Sequence, residues 1–268
     1  MPIVAANGIE LYCTETGAGE PLVLVMGFGG DHLSWGFQLS ALSAQYRVVT
    51  FDNRGSGRSS APDIPYSTRM MADDTVALMD RLGVERAHIL GASLGGMIAQ
   101  EIALGYPERV RSLQLHCTAA RPDGYMLALL ENLRTARGKL GVELAQRAMA
   151  LWLFAPTTFN ERPEFIDMLL YAASSQAHPQ SDVGFARQGD AVMSHDALAR
   201  LGEIRCPTLV AVGEEDQLAP LSFSREIVGA IAHAELRTIP AAGHVYFWEK
   251  PAEFNALVLN FLSKHRGC

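Results

Sequence analysis

Five continuous apolar runs of strand length punctuate the chain: "PLVLVMG", "RVVTFD", "RAHILG", "VRSLQLH" and "PTLVAVG". None alternates apolar with polar positions, as a sheet with one wet face would, so each is expected in a parallel sheet buried on both sides. Helical patterns separate them. "SWGFQLSALSAQ" precedes "RVVTFD", and "STRMMADDTVALMDRLG" precedes "RAHILG" and stops at Gly83, a C-cap. "PAEFNALVLNFLSKH" is an amphipathic closing helix with Pro251 near its start. Strands alternating with helices predict an α/β fold with a doubly wound, mostly parallel sheet. Ahead of it, "IVAANGIELYCTE" predicts two short antiparallel strands joined at Asn7-Gly8, a dipeptide that accepts the positive φ of a tight hairpin.

The alternation breaks between about residues 121 and 200. "GYMLALLENLRTARGKL", "VELAQRAMALWLF" and "RPEFIDMLLYAASSQA" are helical in pattern, with no strand run between them. Some 80 residues exceed one crossover. The expected organisation is therefore a core formed by residues 1–120 and 201–268, with residues 121–200 inserted as a helical cap.

Composition narrows the function classes. A 268-residue chain that is 49% hydrophobic can bury a large core, and its net charge of −7 (22 basic against 29 acidic side chains) comes without a basic stripe. Nucleic acid is not an expected partner. No apolar run approaches the ~18 residues of a membrane helix, and the N-terminus lacks the basic start of a signal peptide, so a cytoplasmic protein without a membrane partner is expected. Cys13, Cys117, Cys206 and Cys268 are scattered and are read as reduced thiols. "GFGGDH" and "GSGRSS" lack the third glycine of a dinucleotide fingerprint, and no H-E-x-x-H or similar spacing exists. Neither a cofactor nor a metal is expected.

The chemistry concentrates where "RAHILG" meets the next helix. Gly91-Ala92-Ser93-Leu94-Gly95 fits G-x-S-x-G between a strand run and a helix. Such a turn holds its serine in strained φ/ψ and lifts Oγ out of the sheet. Side chains two positions away would collide, hence the glycines. The N–H of Leu94, at the positive end of the helix, can hold an oxyanion. A serine hydroxyl needs a base and the base an orienting acid. Among eight histidines, His244 is the best placed: it follows the late strand run "AELRTIP" in a loop before the last helix, on the strand-end face where Ser93 must emerge. His32 and His116 are not excluded by position; His178, His195 and His265 stand in polar or helical surface contexts. For the acid, "PTLVAVGEEDQLAP" offers Asp216, with Glu214 and Glu215 as alternatives. The order Ser93, Asp216, His244 is that of the α/β-hydrolase triad.

Together, "LVLVMGFGGDHLSW", "YRVVTFDNRGSGRSS", "GASLGGMIAQEIALGYPERVRSL", "PTLVAVGEEDQLAP" and "AAGHVYFWEKPAEF" make the chain resemble the α/β-hydrolase superfamily over nearly its whole length. Within it, the chain looks most like small bacterial carboxylesterases and 3-oxoadipate enol-lactonases. The resemblance implies an α/β-hydrolase fold, and a second oxyanion donor at the N–H of Phe28 in the loop after the third strand. Many relatives have His-Gly before that donor, where this chain has Met26-Gly27, so the histidine's bracing of the loop is lost. Asp52 and Arg54 of "FDNRGSGRSS" are expected to fix neighbouring loops. Trp152 and Phe154 in the cap, and Val245 beside His244, are candidate pocket walls. The expected activity is hydrolysis of small-molecule carboxylic esters or lactones through an acyl-enzyme. Carbon–carbon hydrolysis of β-diketones, perhydrolysis and acyl transfer use the same triad, and a ligand-binding relative without turnover is a further alternative. A serine at the elbow argues against dehalogenases and epoxide hydrolases, which use aspartate. Monomer and homodimer are both compatible with the sequence.

Overall fold

The computed structural model describes residues 3–267; Cys268 lies outside them. Its eight strands are β1 (Ile3–Ala6), β2 (Ile9–Thr16), β3 (Pro21–Val25), β4 (Arg47–Phe51), β5 (Ala87–Ala92), β6 (Val110–His116), β7 (Thr208–Gly213) and β8 (Glu235–Ile239). They form one sheet in the order β1-β2-β4-β3-β5-β6-β7-β8. β1 pairs antiparallel with β2, as does β2 with β4, and every pairing from β4 through β3 to β8 is parallel. The hairpin turns at Asn7 and Gly8, with φ of 47° and 76°.

Across β3 to β7 both faces of the sheet are dry, which accounts for the unbroken apolar runs. On β3, Leu22 and Leu24 enter one core cluster and Val23 and Val25 the other. Helices α1 (Gly36–Ser43) and α10 (Pro251–Ser263) cover the first face, while α2 (Thr68–Arg81) and α3 (Leu94–Gly105) cover the second. A short helix, α9 (Tyr246–Glu249), leads into α10, and α8 (Leu221–Ala230) joins β7 to β8.

Between β6 and β7 the chain forms α4 (Gly124–Leu153), α5 (Pro156–Glu161), α6 (Pro163–Ser174) and α7 (Asp182–Met193), with no described strand among them. Gly141, at φ 79° and ψ 173°, interrupts α4, and so separates the two helical patterns legible in the sequence. No described helix is long and apolar enough to cross a membrane.

One sequence reading is corrected here. His195 is not in a surface context. It is 3% exposed, with its ring between Thr68 Oγ1 at 2.9 Å and Gln100 Oε1 at 3.4 Å. Polar neighbours in the sequence pointed outward, but the chain just past α7 sets the ring against Thr68 on α2 and Gln100 on α3, where it is buried.

Candidate active site

Ser93 joins β5 to α3 at φ 57° and ψ −121°, a conformation that only a tightly held turn imposes on a side-chain-bearing residue. The flanking glycines are required by close approach. A Cβ on Gly91 would stand 2.1 Å from Gly95 O, and one on Gly95 would stand 2.0 Å from Val25 O. Hydrogen bonds secure the strained residue on both sides. Its N–H donates to His116 O at 2.9 Å, and its carbonyl accepts from Thr118 Oγ1 at 2.7 Å and Gly96 N–H at 2.9 Å. Leu94 is the first residue of α3, so its N–H is one of the donors without an intrahelical partner.

His244 and Asp216 stand in the loops beyond β8 and β7. His244 Nδ1 lies 2.9 Å from Asp216 Oδ2, and the residues are 3% and 4% exposed. The other oxygen, Asp216 Oδ1, accepts the N–H groups of Leu218 and Ala219 at 2.9 and 2.8 Å, which fixes the carboxylate's plane. Glu214 instead accepts from Thr238 Oγ1, and Glu215 from Thr157, both away from the histidine. His32 Nδ1 contacts Asp52 Oδ1 at 2.6 Å. His116 is completely buried against Tyr246 OH, and burial lowers its pKa to about 3, which leaves it neutral and spoken for. Neither His32 nor His116 lines the cavity that holds Ser93.

That cavity has a volume of about 550 Å³, and both Ser93 and His244 line it. Gly27, Phe28 and Leu94 also line it; Leu130, Met149 and Phe154 stand among the walls contributed by the segment between β6 and β7. Val245 lines it too, but Trp152 does not. The Trp152 indole N–H instead donates to Tyr125 OH at 3.2 Å, across to the first half of the kinked α4, while the neighbouring Leu153 and Phe154 line the cavity. Arg137 is the one arginine or lysine of the lining, and its charge is matched by Asp182 at 2.9 Å.

The loop carrying Phe28 is a β-turn closed by Gly30 N–H on Gly27 O at 3.2 Å, with Gly29 at φ 77° in the third position, as a type II turn demands. A Cβ on Gly27 would come within 2.9 Å of the Ser93 Cβ, so the loop touches the elbow. Asp52 accepts from His32 N–H and Arg58 N–H at 2.8 and 2.9 Å, and Arg54 forms a buried two-bond pair with Asp74. Both thus tie loops together beside the site.

Glu249 carried no signal in the sequence. Buried at 2% exposure, it accepts from Gly243 N–H at 2.7 Å, Ala155 N–H at 2.8 Å and Thr158 Oγ1 at 2.5 Å. It therefore pins the histidine loop to the end of α4. Thr118, under Ser93, and Gln188, on α7, were missed for the same reason: each acts through residues distant in sequence.

The profile of the alpha/beta hydrolase fold matches residues 20–251. The chain belongs to the α/β-hydrolase family. This hydrolase is 33% identical over 261 residues to a protein of Azorhizobium caulinodans named "Putative carbamate hydrolase RutD", covering 97% of this chain and 98% of that one. Among solved structures, the enol-lactonase from Burkholderia xenovorans superposes with a TM-score of 0.90 at 28% identity, over 98% of this chain and all of that one. A thermophilic esterase from Thermogutta terrifontis does so with a TM-score of 0.85 at 30% identity, over 99% and 98% of the two chains.

Proposed function

We propose that this hydrolase cleaves carboxylic esters or lactones of small to medium apolar substrates through an acyl-enzyme on Ser93. The observation that carries the reading is the His244–Asp216 hydrogen bond at the wall of the apolar cavity that also holds the strained Ser93. In this reading His244 Nε2 takes the Ser93 proton as Oγ bonds to the substrate carbonyl carbon. Asp216 keeps the proton-bearing Nδ1 in place and stabilises the imidazolium. The N–H groups of Phe28 and Leu94 receive the oxyanion. His244 then protonates the leaving alkoxide as the C–O bond breaks, and water repeats the sequence to release the acid. The residues 121–200 act as a cap that selects the acyl group and performs no chemistry.

A second reading follows from the name carried by the relatives, carbamate hydrolysis, in which the same groups attack a carbamate carbonyl. The apolar walls favour an acyl or lactone ring over a small polar carbamate, because polar groups placed there would lose water without gaining partners. The deciding experiment is a competitive panel of p-nitrophenyl esters, lactones, β-diketones and carbamates, with burst release of the chromophore from the ester. Esters or lactones should give the highest kcat/KM by at least about tenfold, since one pocket contact is worth ~1–3 kcal/mol. Preference for carbamates would move the assignment, and absence of any burst or turnover would remove it.

A further inference from the structure

We infer that Gln188, on the cap helix α7, is a positioning residue that braces the oxyanion loop in place of the missing histidine. The inference rests on the hydrolase reading above. With Met26 where many relatives have histidine, something else must hold the Gly27–Gly30 turn. Two core contacts contribute. Asn53 Nδ2 donates to Met26 O at 2.8 Å, and the Met26 side chain packs under Gly30, where a Cβ would stand 2.7 Å from its Cγ. Neither reaches the residue after the oxyanion donor. Gln188 does: its Oε1 accepts the Gly29 N–H at 3.2 Å.

Gln188 is fully buried, and its whole hydrogen-bonding capacity is committed to this junction. Its Nε2 donates to Arg54 O at 2.8 Å and Ser56 Oγ at 2.9 Å, and its Oε1 also accepts from Gln180 Nε2 at 2.9 Å. A neutral amide has two donor hydrogens and two acceptor lone pairs, and all four are used. Gln180 Nε2 donates as well to Gly55 O at 3.0 Å, so a pair of cap glutamines spans the gap between the oxyanion loop and the loop after β4. Packing follows the same line: the Phe28 ring lies 4.5 Å from that of Phe185, one turn before Gln188 on α7. The peptide carrying the Phe28 N–H is thereby held from the cap side through Gly29. A docked cap and a correctly aimed Phe28 donor become one condition.

The test is Q188M, which keeps a side chain of similar length and removes both amide functions. Gly29 amide hydrogen exchange, read by NMR on the unliganded protein, should accelerate at least ~10-fold relative to amides of β5. On a p-nitrophenyl ester, kcat should fall ~10- to 100-fold with KM within about twofold, because losing an oxyanion donor outright costs ~10²–10³ and misaiming one costs less. Q188E retains an acceptor for Gly29 and should recover part of the lost kcat. Thermal unfolding reports whether Q188M is folded. If it is not, Q180M, which leaves Gln188 in place but removes its orienting donor, is read by the same two measurements at smaller amplitude. Unchanged Gly29 exchange in the folded variant, or a loss confined to KM, overturns the inference. If the parent enzyme turns over none of the esters, lactones, β-diketones and carbamates of the panel, the proposed activity fails on its own, and the exchange experiment still decides the brace.

Discussion

Asp216 differs from its two acidic neighbours in where its oxygens go. One meets His244 Nδ1, and the other is held by two backbone N–H groups, whereas Glu214 and Glu215 serve as anchors for Thr238 and Thr157. Asp216→Asn should therefore lower kcat by ~10³–10⁴, because the amide favours the wrong imidazole tautomer. Glu214→Gln and Glu215→Gln should stay within a few-fold, and a steady-state comparison of the three variants checks this. Ser93→Ala should remove ester turnover by ~10⁴ or more while leaving the circular dichroism spectrum unchanged. A residual rate only a few-fold below the parent would take Ser93 out of the mechanism.

The elbow and the helices above it behave as units. In Gly95→Ala the new methyl would have to displace the backbone of β3 at Val25 O, so the strand and the helix cannot both keep their places. A loss of at least about 1–3 kcal/mol is expected in urea unfolding, with activity lost in proportion to the displaced serine. On the roof of the cavity, Phe154 and Trp152 are near neighbours with different surroundings: Phe154 lines the cavity, and Trp152 bonds to Tyr125. Phe154→Ala should shift the ranking of acyl chain lengths by about 1–3 kcal/mol for the best-discriminated pair. Trp152→Ala should leave the ranking alone and lower the melting temperature. A shared shift in ranking would refute this division of roles.

At the scale of the whole molecule, buried histidines contribute to the response to acid. Burial lowers the pKa of His88 to about 4, of His116 to about 3 and of His195 to about 4, against Glu20 and Glu101 pulling His88 and His195 the other way. The unfolded chain binds these protons near pH 6.5, so between about pH 4 and 6.5 it holds more of them than the folded one, and stability must rise with pH across that window. Cooling the argument to one site, His195→Gln should unfold at lower temperature at pH 7. Its stability should also depend less steeply on pH between 4 and 6.5, by about one proton in the proton uptake on unfolding. An unchanged slope would show that His195 does not titrate between the two states in this range.

The sequence by itself determined what short-range geometry encodes. Unbroken apolar runs marked β3 to β7 because both faces of the sheet are buried. Glycines two residues to either side of Ser93 marked the elbow, because backbone passes within a Cβ radius of both. A strandless stretch marked the helices between β6 and β7. What lay beyond reach depends on contacts between distant residues. The Gly27–Gly30 turn meets its glutamine across 159 positions. The burial of His195 and the placing of Trp152 against the core instead of the cavity follow from how helices pack, and residue type did not foretell either. Periodicity and local sterics are written into neighbouring residues, whereas which side chain faces which cavity is decided only when the sheet, its two layers of helices and the roof over Ser93 close on one another.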